Sequence, residues 1–306
     1  MTSIRRLDPC NDIAFKKIFG DEKNKDILIH FLNDVLNKQD RDTIIEVTLI
    51  NTRLAPDIER LKESVLDVLC TDQHRNQYIV EMQVSGSKGF LKRAQYYAAK
   101  VYGNQLYIGE KYHLLKEVVF LAILDFTIFP EKLAYKSDHV ILDKKDYSHH
   151  LKDFSFTFIE LPKFTKENPA ELTTYEEKWC YFLKHADDPE CMQRFLATIG
   201  NESNVIRKAY NALDAHYWSI EELHTYESVQ KILMDRRARE DYIIDEAEAR
   251  GEARGEARGE ARGEARGEAR GEARGEARGE ARAKAELRKR LEQAGFDPEK
   301  ISELTA

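Results

Sequence analysis

Two apolar runs joined by a polar tip dominate the hydrophobic pattern in the first third of the chain. The runs, Ser64–Thr71 and Gln77–Val84, are rich in Val, Leu, Ile and Tyr, a composition typical of β-strands. The five residues between them are polar and include turn formers, so the pattern predicts a β-hairpin. A tip of this length places Thr71 opposite Gln77 and sets the register of every other opposed pair.

Two carboxylates interrupt these apolar runs, Asp67 in the first and Glu81 in the second. An ionised carboxylate among apolar neighbours is costly unless it is paired or bound to a metal. The predicted register places Asp67 opposite Glu81, with their Cβ atoms about 5 Å apart, and Gln83 lies on the same face because strand side chains alternate. Two carboxylates and an amide favour a hard divalent cation, above all Mg²⁺. The alternative is that each carboxylate pairs with a Lys or Arg from a covering helix.

The rest of the pattern alternates between helical and strand periodicities and predicts an α/β fold. Helical spacing of apolar residues covers 11–36, 90–108 and 173–233, and strands are predicted at 43–49, 117–126 and 154–161. The run at 117–126 is almost entirely apolar, which is typical of a strand in a sheet that is buried on both faces.

Eight tandem copies of Gly-Glu-Ala-Arg fill Gly251–Arg282. The tract has no large apolar residue and cannot form a core, and each Gly costs a helix about 1 kcal/mol relative to Ala. At a period of four, Glu lies over Glu and Arg over Arg, so no i,i+4 salt bridge supports a helix. We therefore predict a marginal helix or a linker at 241–282, between a domain at 1–240 and a short helical hairpin at 283–306. Pairing of two chains through the tract stays open.

The charge balance limits where the chain could bind nucleic acid. The net charge is −7, so a DNA-binding surface must be local. Lys88, Lys92 and Arg93 concentrate positive charge just after the hairpin, either as a phosphate clamp or as an ordinary solvated helix face. The four cysteines are scattered, and the chain has no signal-peptide pattern and no apolar run that could span a bilayer. We therefore expect a soluble cytoplasmic protein without a membrane partner.

Five segments, taken in order, carry a resemblance to a known protein family. Asp67, a gap of 13 residues, Glu81 and Gln83 resemble the PD-(D/E)XK nuclease motif, with Gln83 in place of the usual Lys. The matching segments are NDIAFKKIFG (11–20), LDV (66–68), IVEMQ (79–83), KRAQYY (92–97) and FIELPKF (158–164). Within residues 8 to about 235, the chain is similar to the Rpn-type recombination-promoting nucleases, also described as PD-(D/E)XK nuclease family transposases.

This resemblance implies a restriction-endonuclease-like core with a mixed central sheet flanked by helices, followed here by a charged C-terminal repeat arm. It also implies a Mg²⁺-dependent DNA endonuclease, with Mn²⁺ as an alternative cofactor. The implied site residues are Asp67, Glu81 and Gln83 for catalysis, Asp67, Glu81 and Asp12 for the metal, and Lys88, Lys92 and above all Arg93 for DNA. For Asp12, a role in capping the first helix stays open.

Two other functions stay open on the sequence alone. Gln83 brings no positive charge to the phosphate, so the chain could be a catalytically weak DNA-binding or transposon-associated module. It could also be a protein-interaction scaffold, or a homo-oligomer, that uses the repeat arm. Metal-dependent cleavage separates the enzyme from the weak module, and a lack of DNA binding at low salt would favour the scaffold.

Overall fold

The computed structural model describes residues 5–54, 64–200, 204–295 and 297–298. Contacts between residues divide the chain into two compact units, Met1–Met234 and Asp235–Ala306. The strands of the described residues lie in the first unit, and the Gly-Glu-Ala-Arg repeat lies in the second.

A mixed six-stranded sheet is the centre of the first unit. The strands of the described residues are, in chain order, β1 (Val47–Leu49), β2 (Arg53–Leu54), β3 (Ser64–Val65), β4 (Val68–Asp72), β5 (Gln77–Gln83), β6 (Val118–Leu124), β7 (Lys136–Ile141) and β8 (Leu151–Glu160). The sheet order is β1-β4-β5-β6-β8-β7, and β2 and β3 form a separate pair. β5, β6 and β8 run parallel, whereas the pairs β1–β4, β4–β5 and β7–β8 are antiparallel.

The β4–β5 hairpin has the predicted register, with Thr71 opposite Gln77. The prediction of one continuous strand over Ser64–Thr71 is wrong, because the strand is interrupted at Asp67. β3 pairs with β2, whereas β4 pairs with β5. At the interruption, the backbone N–H of Asp67 donates to the side chain of Glu81. The regular backbone pairing of β4 with β5 therefore ends at the two carboxylates of the candidate site.

Helices cover both faces of the sheet. In chain order, those of the described residues are α1 (Asp12–Phe19), α2 (Lys25–Val35), α3 (Phe90–Gly103), α4 (Tyr175–His185), α5 (Pro189–Thr198), α6 (Asn204–Ala212) and α7 (Ile220–Gln293). α1, α2, α4, α5 and α6 contribute to the core on one face, and α3 contributes to the core on the other. Every residue of β6 is buried, with alternate side chains in the two cores. The α/β class and this doubly buried strand are confirmed.

Several boundaries differ from those predicted from the pattern, and one strand was not predicted. The strand predicted at 43–49 is only β1, and the helix predicted to reach residue 108 ends as α3 at Gly103. β7 is missing from the predicted strands because four of its six residues, KSDHVI, are polar. An edge strand with one unpaired side tolerates such a composition, so its hydrophobic pattern is weak.

Helix α7 contains the whole repeat. No Glu–Arg ion pair forms within residues 251–282, all of which the structure describes, although i,i+4 pairs join Arg250 to Glu246 and Arg290 to Glu286 just outside it. Within the short helical hairpin predicted at 283–306, residues 283–293 are the end of α7, and most of the remaining residues lie outside those that the structure describes. No helix in the described part of the chain has the length and apolar character needed to cross a membrane.

Replacing repeat glycines with alanine should stabilise this helix. A Cβ added at Gly263 or Gly267 meets no atom within 4 Å, so each Gly→Ala change should contribute about 1 kcal/mol through helix propensity alone. Circular dichroism at 222 nm should show higher helix content and a higher melting point for the double variant. The matched control, Ala265→Gly, should lower both. Unchanged helicity in both variants would mean that the repeat is not helical in solution.

Candidate active site

Asp67 and Glu81 meet at the open end of the β4–β5 hairpin, where the predicted register places them. The regular pairing ends one residue pair earlier, and side chain–backbone hydrogen bonds then join the two strands. The N–H of Asp67 donates to Glu81 Oε1 at 3.2 Å, and the N–H of Met82 donates to Asp67 Oδ2 at 2.9 Å. The two carboxylates therefore occupy one patch near the carboxyl end of β5.

Glu81 is 3% exposed. Burial, followed by repulsion from the charge of Asp67, raises the pKa of Glu81 from 4.5 to about 8. The positive charges of Arg93 and Lys16 oppose this shift only in part. Without further positive charge, the site therefore favours a protonated Glu81 at neutral pH.

Gln83 and Arg93 extend this patch toward α3. The Nε2 amide of Gln83 donates to Glu81 Oε2 at 3.3 Å, and Arg93 Nη2 donates to Gln83 Oε1 at 2.6 Å. The Arg93 guanidinium also stacks over Phe90, 5.0 Å from the ring centroid. Arg93 is thus held against the protein, and Gln83 links its charge to the Glu81 carboxylate.

Lys16 brings a second positive charge from α1. Its Nζ lies 3.2 Å from Asp67 Oδ1, and its side chain is 37% exposed against 11% for Asp67. The hydrophobic pattern gave only a weak signal for this residue. Lys16 adjoins the buried stripe of α1, but Lys17 does so as well, and only the three-dimensional arrangement shows which lysine reaches the hairpin.

Tyr97, which lies within the predicted helix at 90–108, is a further neighbour of the two carboxylates. It follows Arg93 by one turn of α3, on the same side of that helix. Burial, followed by the charge of Glu81, raises the pKa of the Tyr97 phenol. A neutral phenol therefore adjoins the carboxylates and can act there as a hydrogen-bond donor.

Asp12 is the first residue of α1 but does not cap it. The cap is Asn11, whose Oδ1 accepts a hydrogen bond from the N–H of Ile13 at 3.0 Å. Asp12 precedes Lys16 by four residues, and side chains at this spacing share one side of a helix. Asp12 therefore lies on the side of α1 from which Lys16 reaches Asp67.

The two predicted DNA-contacting lysines differ from Arg93 in their surroundings. Lys88, in the loop before α3, and Lys92, on its first turn, are exposed, whereas Arg93 is partly buried. The three residues predicted to contact DNA therefore do not form one uniform basic surface. Two are free to reach a solvent-side phosphate, and the third is engaged with Gln83.

The donor set fits a divalent cation. Asp67, Glu81 and Gln83 bring oxygen ligands together, which are the ligands that Mg²⁺ and Mn²⁺ take. The raised pKa of Glu81 means that added positive charge would stabilise its ionised form. Within the described ranges, no three His, Cys, Asp or Glu side chains are grouped to hold a metal. Of the three predicted metal ligands, Asp67 and Glu81 are joined by a hydrogen bond, and a role for Asp12 at the metal stays a prediction.

Glu160 is a buried carboxylate with a different environment. It is the last residue of β8 and is 1% exposed. In the sheet register it is aligned with Gln83 of β5, with β6 between the two strands. Its Oε1 accepts hydrogen bonds from the N–H groups of Ile128 and Phe129 at 2.7 and 3.1 Å, and its Oε2 pairs with Lys163 Nζ at 2.7 Å. Glu160 therefore fixes the loop after β6, and its lone pairs are used by the protein.

Comparison with known proteins identifies the family. The sequence model of the PD-(D/E)XK nuclease family transposases matches residues 9–242, a range that includes the hairpin, α1 and α3. Searches of curated proteins and of solved structures found no match. The matched range covers well over half of the chain and confirms the family predicted from the five sequence segments. The chain therefore belongs to the PD-(D/E)XK nuclease family transposases.

Proposed function

We propose that the chain is a metal-dependent DNA endonuclease that hydrolyses phosphodiester bonds at the Asp67–Glu81 pair. The observation that carries this proposal is the buried Glu81 carboxylate, which is held against Asp67 with its pKa raised to about 8. A fold does not gain stability by burying two mutually repelling carboxylates. A carboxylic acid with a strongly shifted pKa, next to a second carboxylic acid at the end of a sheet, is instead typical of a catalytic site.

The residues divide the work of hydrolysis between them. Water replaces one ester oxygen on phosphorus, and its two hydrogens end on the phosphate and on the released hydroxyl. When bound, Mg²⁺ or Mn²⁺ would supply positive charge for the phosphate and acidify a water. Asp67 and Glu81 would hold that cation, and Arg93 fixes Gln83 through its hydrogen bond to the amide oxygen. Gln83 retains a second amide N–H with which to orient the attacking water.

A catalytically weak DNA-binding module remains the second candidate, and one observation favours it. Gln83 occupies the position of the motif lysine, and its amide oxygen is already bound by Arg93. If no other cation replaced that lysine, charge developing on the phosphate would be stabilised less well. The protein would then bind DNA and cut it slowly.

A cleavage assay on supercoiled plasmid distinguishes the endonuclease from the weak DNA-binding module. The full-length protein should nick or linearise the plasmid with Mg²⁺ or Mn²⁺, and a chelator should stop the reaction because the carboxylates then lack their cation. Binding without cleavage in both metals would favour the weak module. Failure to bind DNA even at low salt would favour a protein-interaction scaffold.

Lys92 and Arg93 should have separable effects, although they are adjacent. Lys92→Ala should lower the salt dependence of DNA binding by about 0.9 in log–log slope, the value for one lost phosphate contact. Arg93→Ala should reduce the cleavage rate more than the affinity, because Arg93 holds Gln83. The control is Gln95→Ala, since Gln95 is exposed and its side chain donates to the carbonyl of Leu91 in its own helix. If the parent and Lys92→Ala show the same dependence of DNA affinity on salt, Lys92 does not contact a phosphate and is an ordinary solvent-exposed lysine.

A further inference from the structure

Lys16 is a charged residue of the site that lies outside the Asp67–Glu81–Gln83 motif. The motif places its lysine two residues after the glutamate, and this chain has Gln83 there. Of the two positive charges that act on Glu81, Arg93 is engaged by the Gln83 amide. Lys16 remains as the cation at the exposed side of the carboxylate pair.

Lys16 can reach a substrate without leaving the site. An ammonium group has three N–H donors, and the described contacts of Lys16 Nζ consist of the ion pair with Asp67. Its side chain is more than three times as exposed as that of Asp67, 37% against 11%. The amine therefore lies between a buried carboxylate and solvent, on the route by which a phosphate would approach.

The neighbouring lysine shows that this placement is specific. Lys17 pairs with Glu222 and lies 5.0 Å from the centroid of the Trp218 ring, so it fastens α1 to the start of α7. Lys16, one residue earlier, turns toward Asp67 instead. Two adjacent lysines on one helix therefore have different roles, and Lys17 offers a matched control for Lys16.

We propose that Lys16 is a catalytic residue that contacts the scissile phosphate and supplies the positive charge that Gln83 lacks. This inference rests on the proposed nuclease function and names the cation for that reaction. In the free protein, Lys16 neutralises Asp67. In the complex with DNA, its remaining donors stabilise charge on the non-bridging phosphate oxygens. Lys16 and a divalent cation therefore compete for Asp67 but act together on the phosphate.

Lys16→Met tests this proposal because it should move two readouts in opposite directions. Loss of a transition-state donor should lower kcat for plasmid cleavage about 10²-fold. Loss of the competing cation should tighten Mg²⁺ binding by about threefold, measured from the Mg²⁺ dependence of the melting temperature. That titration belongs at pH 9, above the pKa of about 8 that Glu81 has in the parent. Lys16→Arg should retain most of the activity, and Lys17→Met should match the parent in both readouts.

A binding measurement keeps the proposal testable even if the parent does not cut DNA, an outcome that would overturn the proposed function. In chelator, Lys16→Met should lower the salt slope of DNA binding by about 0.9, and Lys17→Met should not. An unchanged slope, or unchanged cleavage in Lys16→Met, would overturn the role of Lys16. Joint loss of cleavage and Mg²⁺ affinity would also overturn it, because Lys16 would then merely hold Asp67 in position.

Discussion

Replacing Glu81 with glutamine, or Asp67 with asparagine, is expected to abolish metal-dependent DNA cleavage while leaving the protein folded. Each change removes one of the two carboxylates that would hold the cation, so we expect the rate to fall by at least about 10³-fold. Each also removes the repulsion between two carboxylates in a poorly hydrated patch. The melting temperature without metal should therefore hold or rise.

Glu160→Gln is the matched control, because Glu160 is a second buried glutamate on the same sheet. Its carboxylate pairs with Lys163 and accepts two backbone hydrogen bonds. Removing its charge leaves a buried lysine without its partner, which should destabilise the fold by about 3 kcal/mol. The free energy of unfolding should thus fall in Glu160→Gln, whose carboxylate is fully paired, and hold in Glu81→Gln, whose carboxylate is repelled by Asp67. If Glu81→Gln unfolds the protein and Glu160→Gln does not, Glu81 is the structural carboxylate and its assignment to the metal site is wrong.

Without divalent metal, stability should fall as the pH rises through the neutral range. The folded-state pKa of Glu81 is about 8, against 4.5 as its ordinary value, so the folded protein binds this proton more tightly than the unfolded chain does. The stability linked to this proton is fully present below about pH 4.5 and is lost as the pH passes 8. One pKa unit corresponds to about 1.4 kcal/mol, so this shift implies a loss on the order of 5 kcal/mol.

Thermal melts of the parent and of Glu81→Gln, from pH 5 to pH 9 in chelator, isolate this effect from other titrating groups. The difference in melting temperature should grow in favour of Glu81→Gln as the pH rises. Added Mg²⁺ should close the gap, because binding favours the ionised carboxylate of the parent. Parallel curves across the whole range would mean that Glu81 titrates normally.

The central part of the site was predictable because it depends on local periodicity. A hairpin fixes which residues oppose each other, so a five-residue tip was enough to bring Asp67 to Glu81. The period of two then placed Gln83 beside Glu81. These relations need only the sequence between Asp67 and Gln83, where the predicted strands and turn agree with each other.

The surroundings of the site were not predictable in the same way, because they come from distant parts of the chain. Lys16 precedes Asp67 by some fifty residues, and its contact depends on how α1 packs at the end of the hairpin. Arg93 illustrates a related difficulty. Its type and position predict a phosphate contact, but its bond to Gln83 depends on the direction of one long side chain. The hydrophobic periodicity of a sequence determines the face of an element on which a side chain lies. It does not determine which distant side chain that residue contacts.

Helix propensity did not decide between a helix and a linker for the repeat. Glycine content and like-charge spacing predict a marginal helix or a linker, and the structure has the helix, without internal Glu–Arg pairs. The exposed glycines have room for a Cβ, so the sequence does not maximise helix stability. We expect the tract to act as a spacer whose length can change without affecting the nuclease-like domain.

Mn²⁺ titration of the full-length protein, followed by electron paramagnetic resonance, measures directly whether Asp67 and Glu81 hold a divalent cation. The parent should remove free Mn²⁺ from solution with an affinity that increases between pH 6 and pH 9, because Glu81 must lose its proton. Glu81→Gln should lose this binding, and Lys17→Met should retain it. Equal Mn²⁺ binding by the parent and Glu81→Gln would contradict the account.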